Sequence, residues 1–506
     1  MDRFHEIERK FDINAGTPLP DLHSVDGIAT VTDPLESTLE ATYFDTRDVR
    51  LATHRATLRR RTGGTDEGWH LKLPGSGDKR TEVALPLDQA RHTVPEALAK
   101  QVRGLIRGRE LVPVAVLRTT RLERHLFDAD GNELAIVADD TVHAKRLNEG
   151  SVDVSAWREV EVELVDGEQA LLDAISTHLE AAGLTRSTST SKLERTLDDL
   201  IPDQLPPAQL TSQSRAGDVV LAHLREQVEE LVSRDLEART DEPDAVHKMR
   251  VATRRLRSAL ATYRPLLNRE FTDPLRDELR WLGGALSDPR DAEVLQHRLS
   301  GLVKKQPDEL VLGPVLRRID LDIGARHRTG HAHLLEALDD ERYRRLLDTL
   351  DELLADPPFT KKARKRAHRK LLPLVGRACA RVDRASRATD AADTPEKRDE
   401  GLHEVRKAAK RARYAAESVA AVLGKPATRL AKRMEHLQEV LGEHQDSVMS
   451  RQVLRELGVI AHLSGENGFT FGLLHEVERS RSEAAQREYR PALRAASKKS
   501  VRRWTR

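Results

Sequence analysis

The chain has 506 residues, of which 33% are charged and 38% hydrophobic, and its 84 basic residues nearly cancel its 83 acidic ones. That length implies two or more domains. The absence of any apolar run of about 18 residues argues against a membrane-spanning helix, and an aromatic content of 3% argues against base stacking as the main binding mode. The single cysteine, Cys379, excludes an intramolecular disulfide framework. Together with a start (MDRFHEIERKF) that lacks a signal-peptide apolar stretch, it sets the expectation of a cytoplasmic protein.

Roughly residues 1–200 alternate with a period of two. HEIERKF, ATLRRR, GWHLKLP, KRTEVALPL, ELAIVADDTV and WREVEVELVDG are separated by turn-forming stretches such as TGGTDEG and DADGN. This is an antiparallel β pattern. In a strand, side chains at i, i+2 and i+4 share a face. Glu6, Glu8 and Lys10 therefore point one way, and Ile7, Arg9 and Phe11 the other. His5 is expected to point away from Glu6. Glu159, Glu161 and Glu163 share a face opposite Val160, Val162 and Leu164. Arg59 alternates with Arg61, and Arg80 with Glu82. Arg118 and Arg121, three apart, need a bulge to face the same way. A charged strand face is ordinarily a solvent face. Here five strands carry such sets, and three carboxylates in alternate positions repel unless something cationic lies between them. Carboxylates suit Mg²⁺ or Mn²⁺, and guanidinium and ammonium groups suit phosphate oxygens.

These residues carry a resemblance. Glu6-x-Glu8-x-Lys10, TYFDT ending at Thr46, Arg59-x-Arg61, Lys72 in HLKLP, Arg118-x-x-Arg121, Glu159-x-Glu161-x-Glu163 and Ser191-Lys192 resemble, in order, the CYTH domain of the triphosphate tunnel metalloenzymes. The resemblance implies an eight-stranded antiparallel β tunnel and metal-dependent chemistry on triphosphates. It makes Glu6, Glu8, Glu159 and Glu161, with Glu163 and Asp140, the metal-binding set. It makes Lys10, Arg59, Arg61, Lys72, Arg80, Arg118, Arg121 and Lys192 the triphosphate-binding set, with Lys10, Glu6 and Glu8 closest to catalysis. The expected activity is hydrolysis of inorganic triphosphate. The same family also contains enzymes acting on thiamine triphosphate and adenylate cyclases acting on ATP.

A short helix, GEQALLDAISTHLEAAG, follows the last strong strand, and residues 201–214 read as a linker. From about residue 215 the period becomes helical, giving an expected all-α domain over 215–506 with two repeats, about 215–385 and 400–503, divided by SRATDAADTPEKRDEG. AVHKMRVATRRLRSAL recurs 156 positions later as GLHEVRKAAKRARYAAE (403 − 247 = 156), which suggests a pseudo-symmetric bundle. At 100° per residue His247, Arg250, Arg254 and Arg257 fall on one stripe, opposite Met249, Leu256 and Leu260. His403, Arg406, Lys410 and Arg413 repeat it opposite Val405, Ala412 and Ala416, with Lys407 and Arg411 widening the basic face. Exposed helices usually mix signs to gain i,i+4 pairs, whereas a single-sign stripe favours an anionic partner. Arg290-Asp291 and Gln445-Asp446 read as interhelical polar contacts. The basic tail KKSVRRWTR reads as a loose end.

The paired His-x-x-Arg-x-x-x-basic-x-x-Arg motifs resemble the CHAD domain, which often follows CYTH. The resemblance implies that inorganic polyphosphate binds the two stripes, and no phosphate-binding Gly loop, zinc spacing or nucleophile elbow points to catalysis in this half. Nucleic acid is the less favoured polyanion. A non-catalytic polyphosphate-targeting protein is the alternative to an enzyme.

Overall fold

The computed structural model describes residues 2–74, 78–87, 93–148, 151–201 and 209–505. The chain forms two compact units, Met1–Gln204 and Leu205–Arg506, so the division falls inside the expected linker, whose residues 202–208 lie outside the described ones.

Among the described residues the first unit has ten strands: β1 (Asp2–Asp12), β2 (Thr30–Val31), β3 (Leu35–Asp45), β4 (Thr57–Thr62), β5 (Gly68–Pro74), β6 (Lys79–Leu85), β7 (Val112–Phe127), β8 (Glu133–Asn148), β9 (Ser151–Leu164) and β10 (Thr185–Arg186). Their pairing runs β1-β6-β5-β4-β3-β7-β8-β9 and returns to β1, closing an antiparallel barrel of eight strands; β2 and β10 are short additions to β7 and β1. Closure satisfies every strand edge and forces each strand to present alternate residues to an interior. The register puts Glu8 opposite Glu163, Lys10 opposite Glu161, Asp140 opposite Glu159, Arg121 opposite Asp140, and Lys72 opposite Glu82. Directly paired residues share a face, so these charged side chains all point inward.

The apolar partners of the alternation point outward. Phe11, Val137, Val160 and Val162 pack there with Leu172, Ile175 and Leu179 of the helix Gln169–Ala181, all buried. The usual arrangement is thus inverted: burying apolar surface at about 25 cal/mol per Å² fixes the outer face against its helix and leaves the charged face no place except the lumen. One end of that lumen is apolar. Ala41, Tyr43, Ala115, Leu117, Val142 and Ala144 pack there with Leu193 and Leu197, which come from or follow the short helix Lys192–Thr196. Ser191 caps that helix by accepting a hydrogen bond from the Glu194 N–H (3.0 Å), which sets Lys192 at its first position.

The second unit is helical. The motif helices Ala245–Thr262 and Pro395–Glu417 pack on Ala216–Arg239 and Ala367–Asp390 respectively, and the long helices Lys425–Leu463 and Phe469–Ser497 lie side by side. Met249, Leu256 and Leu260 on one motif helix, and Val405, Ala412 and Ala416 on the other, are buried as the stripe argument requires. The motif helices meet directly: the Arg254 Nε–H donates to the Tyr414 hydroxyl (2.7 Å), and the Tyr263 and Ser418 hydroxyls share a hydrogen bond (2.5 Å).

The stretch 386–401 holds the end of the helix Ala367–Asp390 and the start of the next at Pro395, capped by the Thr394 hydroxyl. Ala367–Asp390 stands to its motif helix as Ala216–Arg239 stands to the first. One expectation is corrected here. The basic tail is tied down: Val501 and Thr505 are buried, and Arg502 pairs with Asp383 at 2.7 Å. Among the described residues, no helix is long and apolar enough to cross a membrane.

Candidate functional site

Inside the barrel the carboxylates divide into two groups. Asp140, Glu159 and Glu161, from β8 and β9, can each bring one oxygen within 4.8 Å of the others. Lys192 lies against all three, at 2.9, 2.8 and 2.6 Å. Arg121 forks across Asp140 (2.7 and 2.8 Å) and reaches Glu161 (2.8 Å), and Lys10 also binds Glu161. Three acids thus meet three cations. Burial would raise the Glu161 carboxyl, but Lys10, Lys192 and Arg121 overturn this and hold it well below the usual range. Asp140 is lowered against its burial by Lys192 and Arg121.

Glu6, Glu8, Glu82 and Glu163 form the second group. Lys72 binds Glu6 at 2.6 Å and Glu82 at 3.2 Å; Arg80 lies 3.1 Å and Lys10 3.6 Å from Glu8. Burial and a hydrogen bond with Glu82 push Glu6 up to about 8, and burial raises Glu163. Glu82 is held down by His70 and Glu6 hydrogen bonds against its burial. Arg59 and Arg61 complete the wall. Burial, then Arg59 and Arg121, bring Arg61 down to about 9.

Of the six expected metal ligands, three converge: Asp140, Glu159 and Glu161. Glu6, Glu8 and Glu163 face the same lumen but lie with Lys72 and Arg80. Of the phosphate ligands, Lys10, Arg59, Arg61, Lys72, Arg80, Arg121 and Lys192 point inward. Arg118 is the exception. No register shift separates it from Arg121 on β7, so three residues of alternation send it to the outer face, where it is exposed. The His5 side chain lies outside the described ones. Glu82, paired with Arg80 in the strand pattern, was given no role from the sequence, and His70 was not singled out. His70 binds Glu82 through Nδ1 and the Asp66 carbonyl through Nε2 (2.9 Å). The signal was present for Glu82, since it shares the face of Arg80 two positions away.

In the helical unit Arg250, Arg254, Arg406 and Lys410 come together from both stripes. Arg250 pairs with Asp291 (2.7 Å), while Arg406 and Lys410 make no ion pair among the described residues. The Arg406 Nε–H is buried without a hydrogen-bond partner. Gly442 lets this guanidinium in, because a Cβ there would stand 3.2 Å from Nη2. Burial, then Arg406, Arg254 and Arg250, bring the Lys410 ammonium down to about 7. His403 binds Gln445 (3.2 Å), and burial followed by the Arg290 charge lowers His247. Arg413 departs from expectation: Glu417 (2.6 Å) and Glu435 (2.7 Å) neutralise it. Arg257 lies with other arginines instead of acids.

Residues 5–197 match the CYTH domain and residues 222–455 the CHAD domain. An uncharacterized protein of Mycobacterium tuberculosis, in strains CDC 1551 and H37Rv, is 36% identical over 512 residues, covering 98% of this chain and 97% of its own. PptA from Streptomyces chartreusis aligns at 22% identity over 56% of this chain and 100% of its own, with a TM-score of 0.46. The CHAD domain from the plant Ricinus communis aligns at 22% identity over 58% and 96%, with a TM-score of 0.43.

Proposed function

The chain belongs to the family that joins a CYTH domain to a CHAD domain, and on that premise we propose that its tunnel hydrolyses inorganic triphosphate with a divalent metal ion while its helical unit binds polyphosphate. CYTH domains act on triphosphates as hydrolases or cyclases. The observation that carries the reading is the trio Asp140, Glu159 and Glu161 facing a cationic wall inside a closed barrel. Three clustered carboxylates fit Mg²⁺ or Mn²⁺, which take hard oxygen ligands, and these three would hold the ion. When bound, such an ion neutralises phosphate charge and activates water. Lys10, Lys72, Lys192, Arg59, Arg61 and Arg121 would grip the phosphate oxygens through charge-assisted hydrogen bonds. Lys10 bridges Glu8 and Glu161, which suits it to orient a phosphoryl group between the two acid groups. A linear phosphate chain is favoured over a nucleotide because Leu193 and Leu197 fill one end with apolar side chains.

For the helical unit, the support is four half-buried cations from two helices, of which only Arg250 has an ion pair among the described residues and on which Asp446 acts through Arg406 and Lys410. Like charges in excess of their acids are retained at a cost unless an anion joins them.

The test is phosphate release from tripolyphosphate, thiamine triphosphate and ATP with Mg²⁺ or Mn²⁺, comparing the native chain with Glu8→Gln and Lys10→Ala. Turnover of tripolyphosphate above the other two, lost in both variants, is expected. No turnover of any triphosphate leaves the non-catalytic reading, and cyclic AMP from ATP replaces hydrolysis by cyclisation. Neutralising Arg250, Arg254, Arg406 and Lys410 together is expected to weaken long-chain polyphosphate binding while hydrolysis persists.

A further inference from the structure

Arg257 and Arg411 make no ion pair or hydrogen bond among the described residues, and both are about half-buried. The charged groups that act on Arg411 are Arg381, Arg276 and Arg257; those that act on Arg257 are Arg280, Arg276 and Arg254. No acid among the described residues acts on either. The five outer members come from Ala245–Thr262 and the three helices that pack on it: Arg257 from Ala245–Thr262, Arg276 and Arg280 from Arg269–Ala285, Arg381 from Ala367–Asp390, and Arg411 from Pro395–Glu417. Two acids touch the rim, Asp273 at 3.4 Å from Arg276 and Asp277 at 2.7 Å from Arg280. The Arg276 Nε–H is buried with no hydrogen-bond partner.

Arg264 also pairs with Asp273, so six guanidinium groups face two carboxylates and leave an excess of four positive charges. Self-repulsion of that kind destabilises the empty fold, and guanidinium forks match phosphate oxygens two at a time. The cluster adjoins the central one, since Arg254 acts on Arg257 as it acts on Arg406 and Lys410. The pseudo-symmetry breaks at this point. Arg413, the repeat counterpart of Arg257, is bound by Glu417 and Glu435, so this stripe position stays cationic in the first repeat and is neutralised in the second.

We propose that Arg257, Arg276, Arg280, Arg381 and Arg411 form a second phosphate-binding site that extends the central cluster in one direction, so that a long polyphosphate chain occupies both and a short one only the first. This rests on the reading of the helical unit as a polyphosphate binder. Phosphodiester chains share the chemistry, but free polyphosphate presents a charge at every phosphorus without bases to accommodate.

The experiment uses the full chain and labelled long-chain polyphosphate, displaced by unlabelled polyphosphates of graded length and by single-stranded DNA. Arg381→Gln with Arg411→Gln is expected to weaken the long chain about tenfold, lower the salt-dependence slope by about 1–2, and leave short-chain displacement unchanged. The Lys double variant retains at least part of the affinity, and the Gln variant does not melt below the native chain, because it removes repulsion. Native-strength binding by the Gln variant, or equal weakening of short and long chains, overturns the second site alone. DNA displacing the label better than polyphosphate of equal charge overturns the choice of ligand. Failure of the native chain to bind polyphosphate at all overturns the underlying reading as well.

Discussion

Glu161→Gln keeps shape and removes one charge at the point where the tunnel's two roles meet. The Glu161 side chain is 13% exposed, and its carboxylate faces Lys10, Lys192 at 2.6 Å and Arg121 at 2.8 Å. Removing one member of a buried ion network leaves its partners uncompensated, which costs about 3–5 kcal/mol. The metal-free variant should therefore lose stability of that order in urea denaturation. The same substitution removes one of three clustered carboxylates, so Mn²⁺ affinity should fall at least about 10–100-fold, the loss that even an outer partner of a metal site causes. In the native chain, metal at 100 times its dissociation constant adds about 2.7 kcal/mol of stability. The variant at the same concentration should gain far less. Calorimetric titration with Mn²⁺ and paired denaturation curves read both effects. A variant that denatures like the native chain, or binds Mn²⁺ as tightly, refutes the assignment of Glu161 to the network or to the ion.

Glu6 is expected to set a pH dependence. Its folded pKa of about 8 lies above the ordinary 4.5, so the stability it contributes is full below 4.5 and lost as pH rises through 8, at most about 1.4 kcal/mol per pH unit; denaturation midpoints at pH 5 to 9 should fall less steeply in Glu6→Gln. Lys410 has the opposite sign, with a folded pKa of about 7 below 10.5: the unliganded chain should gain stability from pH 7 towards 10.5. Polyphosphate should bind about tenfold tighter at pH 6 than at pH 9, the worth of one charged contact, with Lys410→Arg flattening the titration. Arg118→Ala should leave phosphate release within about twofold, as for a surface change, whereas Arg121→Ala should cost about 100-fold or more, as loss of one aligned donor does. Equal effects of the two would contradict the β7 register.

Alternation of charge and apolar side chains over 6–11 and 159–164 determined, from sequence alone, that the first unit is a sheet with a charged face, and the shared motifs made it a tunnel. The 156-residue repeat likewise determined the paired helices and their buried sides. These are local properties: a strand's period of two and a helix's 3.6 follow from backbone geometry. What the tertiary structure decided was which charges meet. Asp140, Glu159 and Glu161 converge while Glu6, Glu8 and Glu163 pair elsewhere, because neighbours in a closed barrel are set by register and strand tilt, which also bring Lys10 to Glu161 from the far end of the sequence. Arg118 went outward because β7 carries no bulge between it and Arg121. Arg413 was neutralised by Glu435 from another helix, and Arg411 joined Arg276 and Arg381, through helix packing that no single-helix stripe encodes. The sign of a residue's charge is written in the chain, but whether that charge is spent on a neighbour or left for a ligand depends on what folding brings beside it.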